Sequence, residues 1–562
     1  MSYYNSFDRE SSGISPLQTG FTTIPSQDQL EQLKAKIRMG VSKVELGFSG
    51  TGKSFGEKVS PEAYGIDERN DIRELAKLNK IELTTHAAIT GPLSGLTQQG
   101  FQESARREVV DEIKRAIDFA ADVVEGGPVV AHLGEFQRPI YAPEDDKFEA
   151  YENENKEAII SLVNKEDGSL VNLRKNMEFD LPLYVRDENN KFKIVDGLPK
   201  ISEGGENNDK IKKYSWDELK ELLPSENGKP VSDEDVAKFI YKNNIEEQIS
   251  SIHYRLNIEQ HNLDQNKKLL ESKNPNIDED SLKYEIERSI RAIASDRGQI
   301  NKMERMKNQF ESIEKYGVDK TARTIADLGM YALNKQKQIE KKRNVKLERP
   351  LYVAPENIFP EQFGGHPQEL KKIVLEGRQK MENNLIKKEG LSRDMAKKLA
   401  QDHIKATFDI GHANIWKKYF KGNDEEFKKW FMDQIDDLKK NKIIGHVHIS
   451  DNFGYHDEHI IPGQGNVPIK DALEKFKEDK DIDFIIEAGR EGDQAWLKGL
   501  REVSNYPLSG ISAPLPSDPW GITHNSYFGK TAPPYFIVGS YAQSFGERMS
   551  KDFTSWSETS FE

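Results

Sequence analysis

Short apolar runs alternate with longer amphipathic stretches along this chain. The runs have the length of buried strands, and the stretches between them place apolar residues three or four positions apart, which is the helical period. The runs predicted as strands are 20–24, 43–48, 82–85, 128–133, 351–355, 406–410, 443–449 and 484–487. Because eight successive β/α units close into a cylinder, the pattern predicts an α/β protein with a (β/α)8 TIM barrel.

The alternation is interrupted once, by a large insertion between strands 4 and 5. The segment 143–349 is far longer than an ordinary connection. Its first part, 143–232, contains turn residues and short strand-like runs and predicts a small α+β unit. Its second part, 233–345, is charged and broken at Asn274-Pro275-Asn276, which predicts a helical hairpin arm. We interpret the arm as a solvated spacer; the basic run 335–349 favours the alternative, a clamp on a protein or nucleic-acid partner.

The other segments follow from this division. Residues 1–142 carry strands 1–4, residues 350–505 carry strands 5–8, and residues 506–562, rich in proline, glycine and aromatic side chains, form a C-terminal extension. The N-terminus is polar, and no later run approaches the roughly 20 apolar residues that cross a membrane. A soluble cytoplasmic protein with no membrane partner is expected.

Composition limits the possible chemistry. The chain has 562 residues, no cysteine and a formal net charge of -14. The lack of cysteine excludes disulfides, thiolate zinc sites and cysteine nucleophiles, so a metal would need His, Asp and Glu ligands. The acidic excess argues against a broad nucleic-acid-binding face, although it allows a local basic groove.

Imidazoles and carboxylates recur where the predicted strands end. The candidate ligands are His86, His132, Glu356, Asp409, His412, His448, Asp457, His459 and Glu487. Because the carboxyl ends of barrel strands surround one mouth, we expect these side chains to converge there. Imidazole nitrogen and carboxylate oxygen are ligands that zinc and similar divalent ions select, and clustered carboxylates would repel one another without a cation. The sequence therefore predicts a metal centre.

The order of these motifs resembles the xylose-isomerase-like barrel superfamily. The motifs are Leu83-Thr84-Thr85-His86, Val130-Ala131-His132-Leu133-Gly134, Glu356-Asn357, Asp409-Ile410-Gly411-His412-Ala413-Asn414, Val447-His448-Ile449-Ser450-Asp451, Asp457-Glu458-His459 and Ile486-Glu487. Within the superfamily, the ligand set resembles that of endonuclease IV (AP endonuclease family 2). The resemblance implies three zinc ions: one on His86, His132 and Glu356, a second on Glu356, Asp409, His448 and Glu487, and a third on His412, Asp457 and His459.

The resemblance also implies an activity, zinc-dependent cleavage of a phosphodiester at abasic sites in DNA. Up to three Zn²⁺ ions would activate water and stabilise the leaving oxyanion, so no protein nucleophile is required. Glu356 would orient the water, and Glu487 and His412 are the other candidate catalytic residues. Lys53, Arg138 and Arg490 follow strand ends and are candidate phosphate contacts.

Two other functions stay open. A sugar or sugar phosphate isomerase or epimerase of the same superfamily would hold one Mn²⁺ or similar ion on the second ligand set, with His86 and His412 contacting the substrate. The loop Ala87–Pro92 lacks the polar and aromatic residues that endonuclease IV places there, which favours this interpretation. The third function is a metal-stabilised barrel that acts as a binding protein.

Three further features have structural interpretations. Alternation along strand 7 puts His446 on the face of His448, one layer deeper, and Asp451 is expected to support His448 or the following loop. The segment Gly47–Ser54 fits a phosphate-loop pattern, but Pro61 soon follows and no helix is predicted after it. We therefore interpret it as a glycine-rich loop at the barrel mouth.

Overall fold

The computed structural model describes residues 19–50, 58–141, 147–195, 198–202, 211–225, 229–272, 278–479 and 481–487, with positions 495 and 499. Eight parallel strands close into a barrel in chain order. They are β1 (Thr19–Thr22), β2 (Lys43–Gly47), β3 (Glu82–His86), β4 (Gly127–Leu133), β5 (Leu351–Asn357), β6 (Ala406–Asp409), β7 (Ile444–Ile449) and β8 (Asp483–Ile486). The predicted TIM barrel and its eight strands are confirmed.

Helices cover the outside of the barrel, apart from one short helix, Ile410–Asn414, which follows β6 at its carboxyl end. Their bounds are Gln29–Arg38, Ile66–Leu78, Glu103–Val123, Ile313–Arg343, Pro367–Glu389, Arg393–His403, Ile410–Asn414, Asp424–Lys440 and Ile469–Lys475. Their apolar faces form one buried cluster with the outward side chains of the strands, such as Val353, Phe408 and Val447. Burial of this continuous apolar layer stabilises the cylinder.

The inward side chains of the strands are mostly polar toward the carboxyl ends. Alternation along β7 turns His446 and His448 inward, and both are fully buried. Parallel pairing places Glu356 beside His132 and Asp409 beside His448. Strand register thus sets which chemical groups meet at the mouth.

The opposite end of the barrel is closed by an ion-pair network. Asp483, at the start of β8, accepts from Lys43 at 2.7 Å and from Arg349 at 2.6 Å. Burial raises the pKa of Asp483, but the two cations outweigh it and hold the pKa below its usual value. Because these residues come from different ends of the chain, the network holds the barrel seam together.

The insertion has its own apolar core. One antiparallel sheet joins Ile159–Asn164, Leu170–Arg174 and Phe310–Ser312, and two smaller sheets join Phe179–Pro182 with Ile211–Tyr214 and Ile194–Val195 with Leu198–Pro199. The first two of these sheets pack with the helix Trp216–Leu222 and the start of the helix Asp233–Glu271 around a second apolar cluster, whereas Ile194 and Val195 are exposed. In the β3 to helix connection, Leu96–Thr97 pairs with Gly100–Phe101.

The arm is shorter than predicted. Its two helices, Asp233–Glu271 and Glu279–Met306, run antiparallel, since Glu259 contacts Ser289 and Arg255 contacts Asp296. The next helix, Ile313–Arg343, packs on the barrel through Ile325, Ala326 and Leu333. The predicted arm 233–345 and insertion 143–349 therefore include a barrel helix. The prediction was wrong there because this helix is as charged at its exposed positions as the arm.

The basic run 335–349 also belongs to the barrel side. Lys335 pairs with Asp118 at 2.8 Å, Arg343 with Glu125 at 3.0 Å, and Arg349 with Asp483. These cations are used within the fold, so they do not support a clamp formed by the arm. Among the described helices, none combines the length and the apolar character that crossing a membrane requires.

Candidate metal centre

All nine candidate ligands meet at the carboxyl ends of β3 to β8. They form three groups in which one ligand atom per residue lies within 4.8 Å of the others: His86, His132 and Glu356; Glu356, Asp409, His448 and Glu487; and His412, Asp457 and His459. These are the three sets that the sequence resemblance implied. Residues from distant parts of the chain converge because six strands end at the same mouth.

The first group (His86, His132 and Glu356) has the spacing of a tetrahedral site. The Nε2 atoms of the two histidines are 3.1 Å apart, and each is 3.4 Å from Glu356 Oε2. Two ligand atoms at about 2.1 Å from a tetrahedral zinc ion are roughly 3.4 Å apart. The three atoms could therefore bind one ion with little movement.

Glu356 spans the first and second groups. Its Oε2 faces the two histidines of the first group, while its Oε1 lies 2.8 Å from His448 Nδ1. His448 Nδ1 is also 3.7 Å from Glu487 Oε1 and 3.9 Å from Asp409 Oδ2. One carboxylate can thus bridge two ions, because each of its oxygens belongs to a different group.

The third group (His412, Asp457 and His459) lies on the loop after β7 and the short helix after β6. Asp457 Oδ2 is 3.2 Å from His412 Nε2 and 2.9 Å from His459 Nε2. The backbone of His459 has a φ of 46°, in the left-handed region that non-glycine residues seldom adopt. Such local strain is found where surrounding contacts impose a functional geometry.

Backbone carbonyls orient three of the imidazoles. His86 Nδ1 lies 2.8 Å from the carbonyl of Ala87, His412 Nδ1 lies 2.9 Å from that of Asn357, and His459 Nδ1 lies 3.2 Å from that of Glu487. A carbonyl oxygen only accepts, so Nδ1–H must donate. In the neutral ring this leaves the Nε2 lone pair pointing at the cluster, as a metal ligand requires.

The charge of the first group is shared unequally between its histidines. Burial lowers the pKa of His86, but the carboxylates of Glu356 and Glu45 outweigh it and raise the pKa to about 9. Burial lowers the pKa of His132 to about 4. Two imidazolium ions in contact would repel each other. At pH 7 His86 therefore carries the positive charge and His132 is neutral.

The other carboxylates also depend on neighbouring positive charge. Burial raises the pKa of Asp409 to about 7, with the carboxylates of Glu487 and Glu356 adding to it against the charge of His412. For Glu356, burial is outweighed by the charge and the hydrogen bond of His448, and the pKa lies well below its usual range. Protons on the imidazoles thus provide the positive charge that bound cations would provide instead.

Unsatisfied oxygen atoms test whether the residues suit a metal. Glu356 Oε2, Asp409 Oδ2 and Asp457 Oδ1 are buried and have no hydrogen-bond partner. A buried carboxylate oxygen without a partner is costly, and a cation removes that cost. Each of the three groups contains at least one of these carboxylates, so the donor sets fit divalent ions.

Buried side chains hold the loops that carry the ligands. Asp451 accepts four backbone N–H groups, from Asn452, Gly463, Gly465 and Val467, at 2.8 to 3.1 Å. It supports the loop after β7, one of the two roles expected for it. The side chain of Asn357 likewise pairs with the backbone N–H and C=O of Asp409.

Sequence reasoning missed Glu45. It lies on β2 with its side chain fully buried, Oε1 at 3.1 Å from His448 Nε2 and Oε2 at 3.5 Å from His446 Nε2. His446 lies one layer beneath His448, as predicted, and contacts Thr407 Oγ1 at 3.2 Å. A charged residue inside the apolar run Val44-Glu45-Leu46 was the signal that could have identified Glu45.

A pocket of ≈ 1370 Å³ opens beside the metal-ligand groups. Its described lining includes the ligands His86, His132, Asp457, His459 and Glu487 and the hydroxyl side chains Thr22, Thr23, Ser49 and Thr90. The first and third groups therefore face a space large enough for a substrate.

Of the three candidate phosphate contacts, only Arg138 lies among the described residues. Lys53 and Arg490 lie outside the described residues. Arg138 pairs with Glu369 at 2.6 Å and lies over the ring of Trp416, and it is not among the described residues lining the pocket. These contacts to Glu369 and Trp416 use its guanidinium to stabilise the loop after β4.

Comparison with known proteins finds a family model that matches part of the barrel. Residues 369–505 match the xylose isomerase-like TIM barrel family. This part of the barrel therefore resembles xylose isomerase-like TIM barrels. In addition, 86 residues are 40% identical to an uncharacterised protein of Methanocaldococcus jannaschii, covering 15% of this chain and 25% of that protein. The match thus spans a quarter of that relative's length.

Solved structures similar to this barrel include epimerases and a nuclease. A D-tagatose 3-epimerase-like protein is 15% identical, with coverage of 86% of this chain and 96% of that chain and a TM-score of 0.37. Endonuclease IV from Thermus thermophilus is 10% identical, with coverage of 86% and 99% and a TM-score of 0.34. D-psicose 3-epimerase from Clostridium cellulolyticum is 9% identical, with coverage of 87% and 91% and a TM-score of 0.33.

Proposed function

We propose that this protein is a metal-dependent phosphodiesterase that cleaves DNA at abasic sites with a multinuclear zinc centre. The observation that carries the proposal is the presence of three ligand groups, two of which share Glu356. An isomerase needs one ion, and the second group alone would hold it. A single-ion isomerase gives His132, Asp457 and His459 no metal to bind. In a phosphodiesterase they would hold the further ions that contact the phosphate.

The residues would divide the work by position. Zinc held by the three groups would supply an activated water and positive charge for the phosphate oxygens and the leaving oxyanion. Glu356 has one oxygen toward each of two groups and would keep the first and second ions at a set distance. Asp457 and His459 line the pocket, so the third group would lie against the bound phosphodiester. The burial of Glu356 and Asp409 keeps water from competing for their oxygens.

A sugar isomerase or epimerase is the second candidate. The observation that favours it is the loop after β3, where Ala87 and Ala88 are buried and Ile89 is exposed. The side chains at these three positions have no polar group that could bind a nucleotide. In this function Glu356, Asp409, His448 and Glu487 hold one ion. Carboxylates of the group would move a proton to and from the carbon beside a sugar carbonyl.

The third group allows a discriminating test. Asp457→Asn removes its carboxylate and leaves the second group intact. We expect the purified wild-type protein to hold three zinc ions and to cut duplex DNA at a single abasic site, and we expect the variant to lose cleavage. Intact duplex of the same sequence is the control substrate.

The isomerase predicts different results in the same experiment. One manganese ion per chain, no strand cleavage, and equal conversion of a ketose panel by wild type and Asp457→Asn would overturn the phosphodiesterase. Elemental analysis of metal per chain and the two activity assays together decide between the functions.

A further inference from the structure

Glu45 is a buried carboxylate that the three ligand groups do not use. Its side chain has 0% exposure and extends from β2 to the centre of the barrel, beneath the mouth. Oε1 is 3.1 Å from His448 Nε2, and Oε2 accepts a hydrogen bond from Thr84 Oγ1 at 3.3 Å. A buried charge is costly unless it is paired, so this residue type at this position requires an explanation.

The two nitrogens of His448 have different neighbours. Nδ1 faces the second ligand group, 2.8 Å from Glu356 Oε1, and Nε2 faces Glu45. A neutral imidazole has one N–H and one lone pair, and an ionised carboxylate only accepts. With Nε2–H donating to Glu45, the lone pair lies on Nδ1 and points at the second group.

We propose that Glu45 is a positioning residue for the metal centre, which fixes the tautomer and the ring orientation of His448 so that Nδ1 binds the second ion. The inference rests on the proposed function. Glu45, His448 and the ion would form a carboxylate–histidine–metal series, in which the outer carboxylate makes the imidazole a stronger ligand. Substituting such outer partners lowers metal affinity by roughly 10 to 100-fold.

His448 differs from the other oriented histidines in a way that makes this testable. His86, His412 and His459 donate to backbone carbonyls, which no side-chain substitution removes. The orientation of His448 depends on a side chain from another strand. A substitution at position 45 should therefore affect one ion and spare the others.

An alternative use of the same residues is a fourth ion. Glu45, His446 and His448 also lie close enough to hold one. However, all three residues are fully buried, and a fourth ion would take the His448 nitrogen that must carry the proton if Nδ1 is to bind the second ion. The geometry favours orientation over a further site.

Metal affinity tests the inference without an activity assay. Glu45→Gln, His446→Gln and Thr84→Val are compared with wild type by zinc titration against a chelating indicator and by the absorption spectrum of the cobalt-substituted protein. We expect Glu45→Gln to bind one of three ions roughly 10 to 100-fold more weakly, with a changed cobalt band for that ion. Thr84→Val, which removes a bond to Glu45 but keeps its charge, should hold three ions, as should His446→Gln.

The other outcomes are separable. If Glu45→Gln binds three ions as tightly as wild type, the role of Glu45 is wrong while the metal centre stands. Four ions in wild type, with one lost in both Glu45→Gln and His446→Gln, would show that Glu45 is a ligand of a fourth ion and not a positioning residue. No ions in wild type would overturn the proposed function as well. If Glu45→Gln does not fold, Glu45→Asp, which keeps the charge but ends one methylene short of His448, must show the same selective loss.

Discussion

At the scale of single residues, the centre depends on which ligands are shared. Glu356 belongs to two groups, whereas Asp457 belongs to one. Both are carboxylates, and changing either to its amide preserves size. The pair therefore separates a bridging ligand from a terminal ligand.

We predict that Glu356→Gln weakens two of the three ions and abolishes turnover, while Asp457→Asn weakens one. An amide lacks the negative charge that binds a cation. Each ligand group that is impaired should therefore lower the number of metal ions bound per chain. Elemental analysis after dialysis measures it, and circular dichroism checks that the barrel is folded. Wild-type turnover in Glu356→Gln would contradict the proposed role of Glu356 as a ligand shared by two catalytic ions.

Proton release is a second prediction at this scale. The carboxylates beside His86 and His459 outweigh burial and raise the pKa of each imidazole to about 9, so both are protonated at pH 7 in the metal-free protein. Metal binding requires their lone pairs, so uptake at pH 7 should release protons, and affinity should rise from pH 7 to about pH 9.

Calorimetry in two buffers of different ionisation enthalpy measures this release. His132 is an internal reference: its pKa of about 4 makes it neutral already at pH 7, so it should release nothing. Equal apparent enthalpies in the two buffers at pH 7 would contradict the assignment of charge to His86 and His459.

At the scale of structural elements, the loop after β7 depends on one carboxylate. Both oxygens of Asp451 accept two backbone N–H groups each. The loop carries Asp457 and His459, so its conformation decides whether the third group forms.

We predict that Asp451→Asn destabilises the protein by about 1–3 kcal/mol, because the new NH₂ group faces two N–H donors and leaves them unsatisfied. The third ion should be lost and the first two retained. Urea unfolding and metal analysis measure the two effects. Unchanged stability together with three bound ions would show that the loop does not depend on Asp451.

At the scale of the whole molecule, the barrel and the insertion have separate apolar cores. Ile240 lies in the insertion cluster, and Ile325 lies in the barrel cluster, although both are almost fully buried residues of long helices. Separate cores can unfold separately when few apolar contacts join them.

The matched substitutions Ile240→Ala and Ile325→Ala should each cost about 2–5 kcal/mol, but in different parts of the molecule. Ile240→Ala should lower an early calorimetric transition and leave metal content and activity near wild type. Ile325→Ala should lower the transition that releases the metal. A single transition shifted equally by both variants would show one cooperative unit.

The repeating units of the barrel could be predicted from sequence because their signals are local. A short apolar run followed by an amphipathic helix identifies a strand from a few neighbouring residues, and β1 to β8 lie within two residues of their predicted positions. The helix Ile313–Arg343 was misassigned, since its pattern does not reveal whether its apolar face meets the barrel or another helix of the arm.

What the sequence determined by itself is the set of strands and the ligand types at their ends, because a strand's period and its closing residue are encoded within a few positions. Tertiary structure decided how those ligands group, which nitrogen of each histidine faces the centre, and that Glu45 contacts His448 across 403 positions. These depend on the register of parallel strands and on carbonyl groups brought close by closure of the cylinder, and no local pattern encodes such distances.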